Sequence, residues 1–337
     1  MTSISPDAIF ELFNVIEHAQ AAPHGSSRRR LLPDHPLDVF LEVRFPGKER
    51  SLVIASTERL GDRELVLANG LTCRFQEGYV EVVAQPATDT QIFCTLLADL
   101  VDHLEGTTIG PAAAVMRRIA SWQRMLGRGL GGGLSLEARI GLFGELLVLR
   151  DLIIPACGEN AIAAWQGPTG GAKDFALASW AVEVKTVVGA RSHLHCRIHG
   201  EEQLDEGTID FLALVHQKLR NDPSGVGLPH LVDELRAHPA LVPQRALLEN
   251  NLLEAGWLEA HRSQYDGERW LLDIRRCFRV TETFPRIVSG MLPRGVSGVS
   301  YDLDLGACAQ ASVEETQVRA VIDANSRHPG EATVDRD

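Results

Sequence analysis

The sequence predicts an α/β protein, α+β overall, and three observations carry that expectation. Between residues 37 and 84, short runs of alternating apolar and polar residues are separated by glycines, which marks an antiparallel unit of half-buried strands. Apolar residues then recur at helical spacing over 89–105, 111–126 and 135–152. Beyond these, strand-like segments at 170–187 and 209–215 place a second, central sheet, and a mainly helical part follows from 223.

Residues 7–20 read as a short helix. The stretch 21–36 contains prolines, a glycine and the run Arg28-Arg29-Arg30, and reads as a loop. Val39, Leu41, Val43 and Phe45 then alternate with Asp38, Glu42 and Arg44, a half-buried strand. Segments 51–55, 64–67, 71–75 and 79–84 follow as strands, with Gly61, Gly70 and Gly78 at turns. Helix 111–126 carries Trp122 at a core position. Next comes GRGLGGGLS, a hinge. It holds a G-x-G-x-x-G, but a dinucleotide loop follows a strand and this one follows a helix, so that reading is rejected. There is no Walker A loop and no internal repeat.

Helix 135–152 has Ser135 as N-cap. Gly141 and Gly144 inside it cost roughly 1 kcal/mol each against alanine, which predicts close approach of another backbone. Glu145 stands among apolar residues and is expected to point inward as a site acid.

Composition bounds the function. A hydrophobic content of 45% and no apolar run of membrane-spanning length fit a soluble protein, and MTSISPDAIFELF lacks a signal peptide's pattern, so a cytoplasmic location is expected. Six cysteines without a CxxC pair read as reduced, buried thiols, and exclude a zinc ribbon. A net charge of -12 excludes a protein that coats nucleic acid. Local charge differs: segment 262–294 holds seven arginines against four acids, and Arg117, Arg118, Arg124, Arg128 and Arg139 form a second group. Arg275, Arg276 and Arg279 are the candidate phosphate contacts.

The informative segment is GGAKDFALASWAVEVKTV, residues 170–187, which reads as strand, tight turn, strand. With Ala178-Ser179 as the loop, Asp174 faces Glu183 and Ala176 faces Ala181, and Lys185 joins their face. Phe175, Leu177, Val182 and Val184 then share the other, apolar face. Slipping by one residue would bury the charges. Two opposed carboxylates repel unless a cation joins them. They can share Mg2+ at ~2.0–2.1 Å, with waters and a phosphate oxygen completing the octahedron. Such an ion acidifies a bound water, and the lysine can orient it or stabilise developing charge.

Glu145, Asp174 and Glu183-Val184-Lys185, in that order, resemble the PD-(D/E)XK nuclease superfamily. More narrowly, the GLFGELLVL helix, the GGAKDF-to-EVK hairpin, and the FPRI and Tyr301 segments resemble a bacterial PD-(D/E)XK family found beside DNA-modification and helicase-like genes in phage-defence loci. The resemblance implies a restriction-endonuclease-like central mixed sheet flanked by helices. It implies Lys185, Glu183, Asp174 and Glu145 as catalytic residues. Asp174, Glu183, Val184 and Glu145 form the metal set for Mg2+, with Mn2+ as substitute. One departure is that lysine, not proline, precedes Asp174. The partners implied are double-stranded DNA and a helicase-like ATPase or methyltransferase; a homodimer is compatible.

In RSHLHCRIHG, His193, His195, Arg197 and His199 share one face of an expected strand that lines the nucleic-acid cleft, and Cys196 lies on the other. Alternating ligands on one strand rarely close a zinc tetrahedron. Residues 201–206 are expected to start a helix, with Gln203 in reach of the site. Two helices follow, the second ending at Gly256, then a basic strand pair at 269–281, a layout resembling a winged helix. The expected domains are 1–108 (N-terminal α+β), 109–222 (nuclease core), 223–320 (helical, winged-helix-like) and 321–337 (disordered tail). The function expected is a Mg2+-dependent DNA endonuclease of a restriction or phage-defence system. The alternatives are an inactive nuclease-fold module that binds DNA or a partner ATPase, and a scaffold subunit.

Overall fold

A computed structural model describes residues 4–19, 24–58, 61–66, 70–85, 88–105, 110–127, 133–177, 179–189 and 195–327. The chain divides into two compact units, Met1–Gly133 with Leu258–Ala260, and Leu134–Trp257 with His261–Asp337.

Among the described residues, the first unit holds a helix α1 (Pro6–Ala19), six strands and two helices, α2 (Thr90–Glu105) and α3 (Pro111–Gly127). The strands are β1 (Gly25–Arg30), β2 (Val39–Phe45), β3 (Glu49–Ala55), β4 (Arg63–Val66), β5 (Leu71–Gln76) and β6 (Tyr79–Ala84). They form one antiparallel sheet in the order β1-β2-β3-β6-β5-β4. Alternation puts Leu41, Leu52, Val82 and Cys73 in the core, as period two requires. β1 corrects the expected loop at 21–36. GSSRRR is polar on both faces and shows no period, so only its pairing with β2 makes it a strand. Trp122 is buried, and its indole N–H donates to Asp99, which also holds buried Arg118.

The second unit opens with α4 (Leu136–Val148). The Ser135 hydroxyl accepts from Ala138 N, the expected cap. A π-helical turn, Leu149–Ile153, follows directly. Pro155 just beyond it gives no N–H to the ladder. The short helices α5 (Ile154–Cys157) and α6 (Ala161–Ala164) lead to β7 (Phe175–Leu177), β8 (Trp180–Val188), β9 (His195–Ile198) and the long β10 (Phe211–Val226). Then come α7 (Leu228–Ala237), α8 (Arg245–Glu254), β11 (Trp270–Val280), β12 (Tyr301–Asp304), β13 (Ser312–Val313) and α9 (Glu315–Arg327).

The central sheet is mixed, in the order β13-β11-β10-β8-β7, with β8 and β10 parallel. One face packs on a helical core that includes Phe143, Leu147, Leu231, Leu252 and Val318. The other is covered by the β9–β12 ribbon through Cys196, Ile198 and Leu303, and by Leu204 and Phe284.

Three expectations change here. β11 is a single strand paired with β10, not a hairpin, so the winged-helix layout is absent. Its residues face a strand far away in the sequence, which periodicity cannot reveal. Residues 201–206 form turns, not a helix, between Gly200 and Gly207, both at positive φ. The expected domain boundaries also shift. The helices after 223 share one core with the central sheet, and the chain divides after Gly133, with Leu258–Ala260 joining the first unit. Of the expected tail, 321–327 belongs to α9, and 328–337 lies outside the described residues, as does most of the glycine hinge.

Candidate active site

The hairpin has the register expected from alternation: Phe175 opposite Val182, Ala176 opposite Ala181, Leu177 opposite Trp180. β8 is rich in β-branched residues, which suits a strand buried between two neighbours. Val182 and Val184 enter the helical core, while Glu183 and Lys185 project from the other face.

Asp174 immediately precedes β7. Its carbonyl accepts from Gln166 N and Gly167 N at 2.8 and 3.0 Å, and its carboxylate Oδ2 accepts from Val184 N at 2.7 Å. A strand residue's N–H and C=O leave by the same edge, so the Val184 carbonyl points toward Asp174's edge as well. Glu145 comes from α4, and its Oε2 accepts from the Trp165 indole N–H at 2.8 Å. Gly167 fits between the two acids. A Cβ there would lie 2.9 Å from Asp174 Oδ1 and 3.2 Å from Glu145 Oε2. Lys185 Nζ donates to Glu183 Oε1 at 2.7 Å and to Gln203 Oε1 at 3.0 Å, and Gln203 is fixed in turn by His199 N at 2.9 Å. Glu183 is 1% exposed, and its Oε2 has no hydrogen-bond partner among the described residues.

Burial dominates the electrostatics. It pushes the Glu183 carboxyl up to about 8, with Asp174 adding repulsion and Lys185 opposing both. Burial likewise raises Asp174, against the Val184 N–H and Lys185. Glu145 is driven well above the carboxylate range by burial and then by Asp174. Burial works against a charged Lys185, but Glu183 and Asp174 outweigh it and raise the ammonium's pKa. Three acids in a dry site thus share too little positive charge.

The structure brings together Glu145, Asp174, Glu183, Val184, Lys185 and Gln203. It separates others. His195 and Arg197 lie on the solvent side of β9, opposite the face that covers the sheet, and Arg197 pairs with Asp302. They do not line the site; the buried residues of β9 are Cys196 and Ile198. His193 lies outside the described residues. Arg275 is a correction too. Its side chain is 4% exposed and donates to Gln217, Asp151 and Glu315 at 2.9, 2.7 and 3.0 Å, on the helical face. Arg279 shares that face and lies over the Phe211 ring. Only Arg276 projects on the catalytic face, in one row with His216 and Lys185. Much of the remaining arginine excess is spent internally: Arg262 on Asp233, Arg286 on Glu206, Arg139 on Glu268.

Arg275→Ala should therefore lower the melting temperature by roughly 5–10 °C, because it strands partly buried acids, an effect of about 2–3 kcal/mol. The salt dependence of DNA binding should not move. A flattened salt slope with unchanged stability would return Arg275 to the surface.

The sequence did not single out Trp165, Gly167 or Gln217, and marked Lys173 only as a departure from the family pattern. Half-buried Lys173 has its pKa lowered by burial, against attraction from Asp205 and Glu183. Gln217 Nε2 donates to the Gly144 carbonyl at 2.9 Å, which ties α4 to β10 one residue before Glu145. Gly144 is required by space, as expected, but the neighbour is a side chain: a Cβ would meet Thr186 Oγ1 at 1.8 Å. Gly141 faces nothing within 4 Å. All six cysteines are free and buried.

A family model described as "Putative PD-(D/E)XK family member, (DUF4420)" matches residues 9–306 of the 337. The chain belongs to this family. The DUF4420 match spans both units and includes Glu145, the hairpin, Gln203 and Tyr301. The central mixed sheet with its helical face agrees with a PD-(D/E)XK fold, and the family is of nuclease type. PD-(D/E)XK nucleases generally use divalent metals. Searches of curated proteins and of solved structures gave no match. Among the described residues, no helix is long and apolar enough to cross a membrane.

Proposed function

We propose that this DUF4420 member is a metal-dependent endonuclease that hydrolyses DNA phosphodiester bonds, with Mg2+ as its ion and Mn2+ as substitute. The observation that carries the reading is the convergence of Asp174, Glu183 and Lys185, with a buried Glu183 oxygen left without a partner. Mg2+ takes one or two carboxylates and completes its shell with water and phosphate oxygens. Asp174 Oδ1, Glu183 Oε2 and the Val184 carbonyl fit as the protein's oxygens. All are hard donors, and a cation would offset the burial that raises both carboxyls and the repulsion that Asp174 adds at Glu183.

When bound, the ion would neutralise phosphoryl charge and acidify a water. The chain's own residues do the rest. Lys185, fixed by Glu183 and Gln203, presents a cationic N–H to the developing charge. Glu145, steered by the Trp165 indole N–H, places a further carboxyl beside Asp174, which a bound cation would help to ionise. Arg276, two strands from Lys185 or about 10 Å, offers a phosphate contact on the same face. The complete acid-acid-lysine set argues against an inactive DNA-binding module. A bacterial restriction or phage-defence role and a helicase-like ATPase or methyltransferase partner follow from the resemblance of the family, and a cytoplasmic location from the composition.

The test is direct. Supercoiled plasmid incubated with the full chain should be nicked or linearised with Mg2+ or Mn2+ and stay intact with a chelator. Absence of both cleavage and Mn2+ binding would end the reading.

A further inference from the structure

Residues 287–300, IVSGMLPRGVSGVS, form a loop that places apolar side chains in solvent. Met291 is 60% and Val296 48% exposed, and Pro293 and Arg294 are exposed with them. Isolated exposed apolar residues need no explanation, but two large ones at the tip of one shaped loop do. The loop is shaped. Val288, Ser289 and Pro293 carbonyls accept from Met291, Leu292 and Val296 N at 2.9, 3.1 and 3.0 Å, and Gly295 and Gly298 turn the chain at positive φ.

It is also clamped at three points. Ile287 N donates to the Tyr301 hydroxyl at 3.1 Å, closing the base. Gly298 N and Val299 N both donate to the Glu201 carboxylate at 3.1 Å. Arg286, 6% exposed, pairs with Glu206 and donates to the Leu204 carbonyl at 2.8 Å. Two of these clamps act on the segment 201–206, the segment that supplies Gln203 to Lys185. Glu201 and Gln203 are two residues apart, so at most about 7 Å separates their Cα atoms. The base of the loop is thereby held to the segment whose Gln203 contacts Lys185.

We propose that this loop is a wedge for the minor groove of duplex DNA, with Met291 and Val296 against a base step and Arg294 toward the phosphates. The proposal rests on the nuclease reading and adds to it the form of the substrate: a duplex, locally unstacked. Three observations select DNA over a protein surface. The segment 287–300 has one charge, Arg294, and no acid, in a chain of net charge -12. Among the described residues Arg294 makes no ion pair, unlike Arg262, Arg275 and Arg286. The clamps tie the base of the loop to segment 201–206, whose Gln203 accepts from the lysine that would meet the scissile phosphate. Met and Pro wedges with a nearby arginine are what a minor groove accepts, at a cost of a few kcal/mol per unstacked step.

The experiment uses the full chain and a short duplex carrying 2-aminopurine at several adenines, in Ca2+ to hold substrate uncut. Wild type should bind and raise the 2-aminopurine emission. Met291→Ala with Val296→Ala should weaken binding about tenfold and abolish the rise, without changing the salt slope. Arg294→Ala should lower the slope by about one. Calorimetry with Mn2+ should be unchanged in both variants, because none of the substituted side chains is a proposed metal oxygen. If wild type binds duplex and the variants bind and unstack like it, the wedge is wrong and the nuclease reading stands. If the variants lose self-association while keeping DNA binding, the loop is a protein contact and the proposal falls. Failure of wild type to bind any duplex overturns both.

Discussion

Glu183→Ala and Lys185→Ala should fail in different ways. Removing Glu183 should abolish the Mn2+ binding heat and plasmid cleavage together, since it deletes a metal oxygen. Lys185 donates hydrogen bonds only and cannot ligate a cation while protonated. Lys185→Ala should spare metal binding while slowing cleavage by about 10²-fold or more if the ammonium stabilises the transition state. The structure adds a pH dependence. In wild type Lys185 opposes the burial that pushes Glu183 up to about 8. Without it the proton competes harder for Glu183. Tighter metal binding by Lys185→Ala should then emerge only at pH above 8, once that proton is gone.

Stability gives an independent readout. In the unfolded chain Glu183 returns to about 4.5, while in the metal-free folded state it titrates near 8. Between those values the folded state holds a proton that the unfolded chain has released. Metal-free stability should therefore fall as pH rises from about 4.5 to 8. Glu183→Gln should flatten that fall, and Mn2+ should reverse it in wild type alone. Metal binding and cleavage at wild-type level in both alanine variants would show that the active site lies elsewhere.

How much of this was legible depends on where each signal lives. The hairpin register could be read because one alternation sorts Phe175, Val182 and Val184 from Glu183 and Lys185, and a slip would bury charge. β1 could not, since Ser26, Ser27 and three arginines have no preferred face. β11 was misread for the opposite reason. WLLDIRRCFRV carries apolar and basic residues on both faces, so its pattern does not reveal that β10 pairs with it along its whole length. Composition likewise cannot tell Arg276 from Arg275. They are adjacent, and the sheet sends one to the catalytic face and the other into a buried ion-pair network. Trp165 and Gly167 were invisible because their roles are tertiary. No local pattern announces that an indole will meet Glu145 twenty residues upstream.

Gly167→Ala should damage the site more than the fold. Gly167 begins a 3-10 turn, Gly167–Thr169, and its φ is not positive, so its backbone admits an L side chain. Space is the objection. The new methyl would sit 2.9 Å from Asp174 Oδ1, 3.2 Å from the Asp174 Cα and 3.2 Å from Glu145 Oε2. The Cα cannot retreat easily, because the Asp174 carbonyl is held by Gln166 N and Gly167 N. The two carboxylates must therefore turn away, by several tenths of an ångström. Mg2+ demands near-ideal geometry, and a displacement of about 1 Å can cost 10²-fold in rate. We expect Mn2+ affinity to drop about tenfold or more and cleavage about 10²-fold, with a change in melting temperature of only a few degrees. Two glycines of α4 serve as controls. Gly141→Ala meets nothing within 4 Å and should stabilise the helix by about 0.5–1 kcal/mol with full activity. Gly144→Ala drives a methyl into Thr186 and should lose stability first, activity following only as the fold is lost. A Gly167→Ala protein that binds Mn2+ and cleaves like wild type would mean that Asp174 and Glu145 are not jointly positioned around that glycine.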